Sequence, residues 1–284
     1  MSPLWADQLT VFLSPTELLA GHRSRGVRPA PMALTKTPVS DQIAGRSSWE
    51  PAVAELDHLL QQNPHWAGAS LRLVLSNHFV RYALVPWSDD VTNEREYLAL
   101  ARRQFVLTHG RAATHWDIRM RLSDPGESHV ACALDTPLLE EIRRIAQAHR
   151  LRLTGAEPLL MAGFNRWRPS LRTSSHWFLL VEPGMIFGAY VHNHRWQALR
   201  HWRILGDWTT ELPLWLSREQ LLTEQSDRRA ALYLLAPDHP GLHPDDFDVP
   251  VHWLKSRNHG EVGWTTHKIE AHPELETECF ACIL

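Results

Sequence analysis

Hydrophobic and polar positions alternate in short blocks along most of the chain, and the clearest blocks lie between Trp177 and Ile204. An apolar run, WFLLV, meets Glu182-Pro183-Gly184; a second, MIFGAYV, meets His192-Asn193-His194; RWQALRHWRI follows. Short β-prone runs separated by turn residues predict a three-stranded meander. A weaker copy opens the chain: LTVFL, the break at Ser14-Pro15, TELLAGHR, a basic Pro-rich bend, then PMALTK.

After this opening, Ser47 and Glu50 have capping-box spacing ahead of Trp49, Val53, Leu56 and Leu60, which predicts a helix over roughly 48–62. LRLVLS and FVRYALVPW read as strands around Asn77-His78, a predicted hairpin turn. Asn93 with Glu96 caps a second helix that stops at Gly110. WDIRMRLS and HVACALD are strands joined by Asp124-Pro125-Gly126. Thr136-Pro137 starts a helix with Leu138, Leu139, Ile142 and Ile145 on its apolar face. LRLTGA is a strand, PLLMAGFNRWR a short helix, and the polar stretch PSLRTSS leads into the meander. Beyond it the pattern gives a helix at LSREQLLTEQ, strands at RAALYLLAP and VHWL, and a polar tract, DHPGLHPDDFD, between them. A meander followed by alternating helices and strands occurs twice. That order predicts an α/β, duplicated mixed-sheet fold with halves at 1–170 and 171–284, the second pared down.

Composition narrows the functional classes. The 284 residues carry a formal net charge of −3, so there is no overall basic field for nucleic acid. No stretch approaches the ~20 apolar residues of a membrane helix, so direct membrane insertion is not expected. The start MSPLWADQ has no basic segment before an apolar core, and three cysteines are too few for a disulfide framework, which predicts a cytoplasmic protein.

The segments LSNHFVRYALVPW, REYLALARRQF, WDIRMRLSDPGESHVACALDTPLLEEI, LLMAGFNRWR and WFLLVEPGMIFGAYVHNHRW, together spanning roughly residues 70 to 205, resemble in order and character the actin-like ATPase (ribonuclease-H-like) fold. Within it they are similar to the PilM proteins of type IV pili and the cytoplasmic part of GspL of type II secretion. In nucleotide-binding members of that fold, the first turn of each meander is an Asp-x-Gly phosphate loop. Here the first reads Ser14-Pro15 in place of the acid and glycine, and the second, Glu182-Pro183-Gly184, keeps both but inserts a proline. Ser14, Glu182 and Gly184 are therefore candidate positions of degenerate phosphate loops.

The resemblance implies a non-catalytic cytoplasmic adaptor that needs no cofactor. It would sit at the cytoplasmic face of a bacterial inner membrane and bind protein partners of a pilus or secretion platform, with a homodimer as a further option. The alternative is an actin-like ATPase using ATP with Mg. A third reading is a metal-dependent hydrolase built on the 238–248 loop, where His239, His243 and Asp245 combine imidazole with carboxylate; Pro240, Gly241 and Pro244 of that loop suit a solvated connector better. Cys279 and Cys282 form C-x-x-C with only two residues after them, which leaves no helix to activate a thiol. No G-x-S-x-G, G-x-x-x-x-G-K-[ST] or G-x-G-x-x-G string occurs.

Overall fold

The structure is a computed structural model that describes residues 7–24, 33–39, 49–91, 93–222, 230–236 and 250–254. Three strands, β1 (Gln8–Leu13), β2 (Glu17–Arg23) and β3 (Ala33–Pro38), form the opening meander. Helix α1 (Glu50–Gln62) follows, and then β4 (Ser70–Leu75) returns to lie parallel to β1. With β8 (Arg152–Pro158) parallel to β4, the first sheet has the order β3-β2-β1-β4-β8.

The second sheet repeats this plan. Strands β9 (Ser175–Glu182), β10 (Met185–His192) and β11 (Arg195–Arg203) are the second meander, and β12 (Ala231–Leu235) and β13 (Val251–Trp253) complete the order β11-β10-β9-β12-β13. In both sheets the first meander strand is antiparallel to one neighbour and parallel to the other. The first half also carries an insert between β4 and α3 (Thr136–Ala148): β5 (Val80–Val85), α2 (Glu94–His109), β6 (Trp116–Arg121) and β7 (His129–Asp135). Its strands form a third sheet, β5-β7-β6. Among the described residues the second half has no counterpart of this insert.

Burial follows the two periodicities. Leu9, Val11 and Leu13 of β1 alternate with outward residues and join Leu71, Leu73 and Leu75 of β4 against α1 and α3. The other face of the first sheet, through Phe12 and Val74, meets α4 (Leu159–Trp167) and the inner face of the second sheet at Phe178, Leu180 and Phe187. Helix α5 (Trp208–Leu222) covers the outer face of the second sheet with Trp208, Leu212 and Trp215. A core that joins both sheets through α4 holds the halves together.

Three sequence expectations need correction. Strands β4 and β5 are not a hairpin: β4 has both edges taken by β1 and β8, so β5 leaves for the third sheet and pairs with β7. Helix α1 is capped by Trp49 without a side-chain bond, because Pro51 in the first turn fixes the start at Glu50 and moves that residue out of capping-box position. Helix α5 begins earlier than the pattern at 216–225 predicts. Asp207 accepts from the amide and hydroxyl of Thr209 at 3.0 and 2.6 Å, and the helix runs on through Pro213 because three tryptophan and leucine side chains bury one face.

Strand β10 leaves no room at Gly188, where an added Cβ would lie 2.8 Å from Trp215 and 2.9 Å from Leu179. Gly188→Ala is expected to lower unfolding stability by about 1–3 kcal/mol through overpacking under α5. Urea unfolding followed by tryptophan fluorescence checks this; an unchanged midpoint would mean that α5 is not seated on β10.

Candidate functional site

The two meander turns differ in how they use their polar groups. At the β1–β2 turn, the Ser14 hydroxyl accepts from the amides of Thr16 (3.3 Å) and Glu17 (3.0 Å) and donates to the Glu17 carbonyl at 2.8 Å. The Ser14 amide donates to that same carbonyl at 3.1 Å. Ser14 is buried, and the amides that would face a phosphate are engaged within the turn. This is a serine-closed turn of the kind Ser and Thr form with amides two and three residues ahead.

At the β9–β10 turn, Pro183 and Gly184 occupy the two central positions, and Gly184 has φ 77°, a conformation that suits glycine after proline in a tight turn. Glu182 is only 4% exposed. Its Oε1 accepts from the Ser76 hydroxyl at 2.5 Å and its Oε2 from the Asn77 amide at 3.1 Å. Both donors lie just after β4, in the other half of the chain. The His78 ring bonds the Pro183 carbonyl through Nε2 at 3.0 Å, adding a third link between the same segments.

Asn77 extends the network. Its Oδ1 accepts from the Tyr82 hydroxyl at 2.5 Å and from the Leu160 amide at 3.2 Å, so β5, the first turn of α4 and the β4 end meet at one side chain. Burial, followed by the nearby Cys132 and Glu182, pushes the Tyr82 phenol well above its ordinary value, so it stays a neutral donor. The Asn77 Nδ2 is buried and has no partner among the described residues.

Ser14 directly follows β1, Glu182 ends β9, and Gly184 lies in the turn after it. Ser76 and Asn77 were missed by sequence reasoning, which assigned Asn77 to a hairpin. The available signal was three polar residues, Ser76-Asn77-His78, directly after a strand whose last three residues are buried. His239, His243 and Asp245 lie outside the described residues, as do Cys279 and Cys282. Among the described residues no group of three or more His, Cys, Asp or Glu could hold a metal ion.

A second feature is a cavity of about 1040 Å³ where all three sheets meet. Its floor is the polar part of the first sheet's inner face, with Thr10, Arg72 and Gly155. The consecutive runs 119–124 and 154–157 both line it, the pattern of strand edges rather than strand faces. Indeed β6 and β8 are the end strands of their sheets. His176 and Trp196 of the second meander form another wall. The His176 Nδ1 lies 3.0 Å from the Thr173 carbonyl, which can only accept, so Nε2 is left as an acceptor without a partner among the described residues. Burial holds this imidazole below its usual pKa and keeps it neutral.

Solved structures with this arrangement are found across the chain. A protein of Bacteroides thetaiotaomicron VPI-5482, described as having an actin-like ATPase fold and unknown function, superposes with a TM-score of 0.56 at 11% identity over 82% of this chain and 84% of its own. The chain has the actin-like ATPase fold. A chain of the PilM–PilN type IV pilus biogenesis complex matches this fold with a TM-score of 0.59 at 16% identity, covering 89% of both chains. The cytoplasmic domain of EpsL, an inner membrane component of the type II secretion system of Vibrio cholerae, gives 0.51 at 12% identity over 82% and 83%. No protein-family model and no curated protein sequence matches the chain. No helix among the described residues is long and apolar enough to cross a membrane.

Removing either partner of the Glu182 network leaves a buried polar group unsatisfied. Ser76→Ala and Glu182→Ala are each expected to destabilise by about 1–3 kcal/mol, with Glu182→Ala the larger because it orphans two donors. Their effects should be less than additive in a double-mutant cycle. Strict additivity in chemical denaturation would mean that the link between the halves contributes no energy.

Proposed function

We propose that the chain is a non-catalytic adaptor that holds an extended segment of a protein partner in the cavity between the insert and the two main sheets. The observation that carries this reading is a contrast. The donors and acceptors at the two meander turns are largely engaged within the protein, while a cavity of about 1040 Å³ stands open beside two strand edges. A free strand edge offers main-chain hydrogen bonds to an added strand, and the alternating side chains of that strand would find the apolar and arginine-bearing walls. By analogy with the PilM–PilN complex and EpsL, the partner belongs to a pilus or secretion platform, and the protein works at the cytoplasmic face of a bacterial inner membrane.

A second reading, an ATP-binding member of the fold using Mg, draws on one observation: the unpartnered buried Nδ2 of Asn77 beside Glu182. The two readings separate in one thermal-unfolding experiment with and without millimolar Mg-ATP. A ligand at ~100 times its dissociation constant stabilises by about 2.7 kcal/mol, several degrees for a domain of ~150–250 residues. The adaptor reading expects no shift.

For the cavity itself, Gly155 is the site to fill, because nothing lies within 4 Å of an added Cβ. Gly155→Trp is expected to leave the fold intact and to weaken partner capture at least tenfold, or about 1.4 kcal/mol. A peptide array tiling the cytoplasmic segments of single-span membrane proteins from the same genome provides the readout. Binding by wild type and Gly155→Trp alike would place the partner elsewhere.

A further inference from the structure

Helix α5 is apolar on both sides. Inward, Trp208, Leu212, Trp215 and Leu216 lie in the core of the second sheet. Outward, Leu214 is 76% exposed and Leu221 83%, and Leu205, just ahead of the helix, is 91% exposed. Thr210, Leu214, Ser217 and Leu221 follow one another at spacings of four, three and four, the seam pattern of a helix that packs against another helix. The two polar members of this row do not need water. The Thr210 hydroxyl donates to the Asp207 carbonyl at 2.9 Å, and the Ser217 hydroxyl to the Pro213 carbonyl at 2.9 Å. Covering the row therefore strands neither hydroxyl donor and takes leucine surface out of water.

The first half supplies an internal comparison. Helix α1 likewise follows the third strand of a meander and lies on the outer face of its sheet. Its exposed residues are Glu50, Ala54, His58, Gln61 and Gln62, a mostly polar face. Equivalent positions thus present opposite surfaces, a solvated one on α1 and a leucine row on α5.

Charge selects the occupant. Glu211 and Arg218 each directly follow a row position, on the same flank of the helix and two turns apart. When two helices run antiparallel their like flanks meet, and when they run parallel opposite flanks meet. An antiparallel pair of α5 helices centred on Leu214 sets Glu211 of each copy against Arg218 of the other, twice by symmetry. With Asp207 at its start, the face carries two carboxylates and one guanidinium, a balance that disfavours an anionic lipid surface.

We propose that two copies of this chain pair through α5, antiparallel about a two-fold axis at Leu214. Leu214 meets its own counterpart at the axis. Leu205, ahead of one helix, comes to the end of the other, near Leu221. The pairing is independent of the adaptor reading, because no residue of α5 lines the cavity and each copy keeps its own. The face is short, fifteen residues or about 22 Å. That is small for a stable interface, so the expected dissociation constant is about 10 μM.

Sedimentation velocity of the full chain between about 1 and about 100 μM tests this, with a shift from monomer to dimer expected across that range. Leu214→Asp sets two carboxylates together at the axis and should keep the chain monomeric throughout. Glu211→Arg and Arg218→Glu each oppose like charges and should weaken the dimer about tenfold. An equimolar mixture of these two variants should regain the parent affinity, because each then meets its opposite; unspecific apolar association would not respond to mixing. All three positions lie away from the core, so unfolding temperatures should stay at the parent value. Gly155→Trp should dimerise as the parent does. A monomer at every concentration, a dimer that Leu214→Asp leaves intact, or a mixture no tighter than its single variants would each overturn the inference.

Discussion

Taking the Glu182 carboxylate out of water requires that its oxygens keep hydrogen-bond donors, because a buried charge without them costs several kcal/mol. The donors are the Ser76 hydroxyl and the Asn77 amide, which belong to the other half of the chain. This constraint fixes the end of β4 against the end of β9. It also makes the chain leave β4 in a defined direction, into the insert, and Asn77 passes the constraint on to Tyr82 and the first turn of α4. The apolar layer beneath, where Phe12 and Val74 face Phe178 and Phe187 around α4, supplies the area, and the polar network sets the alignment.

In an actin-like fold the ends of the two first meander strands face each other, and a ligand there would bridge the halves. In this chain protein groups make the bridge. Ser14 closes its own turn, and Glu182 reaches across to Ser76 and Asn77. Open volume is found instead on the far side of the insert, where the edges of β6 and β8 and the second meander leave a cavity large enough for a peptide. The cavity lies where the insert meets both main sheets, which makes the insert the element that shapes it.

Much of the fold was legible in the sequence because local patterns and tertiary environment agree. The blocks at 177–204 are strands with nearly every residue of β9 and β10 buried. Asn93 does cap α2, accepting from the Glu96 amide at 3.1 Å, and Leu138, Leu139, Ile142 and Ile145 do form the buried face of α3. The errors arose where two local signals competed. Asn77-His78 has hairpin chemistry, but a hairpin needs a free edge on β4, and the pairing of β1 and β8 removed it. Pro213 lacks an amide donor inside α5, and the burial of Trp208 and Leu212 carries the helix through it.

The sequence by itself determined the order of elements, the duplication, and the replacement of acid and glycine by Ser14-Pro15 in the first turn, because these are properties of residues and their near neighbours. Only the tertiary structure decided what Glu182 does. Its partners are more than a hundred positions away in the chain, and no spacing rule connects residues that meet solely because two sheets pack together. The same holds for the cavity, which exists between sheets.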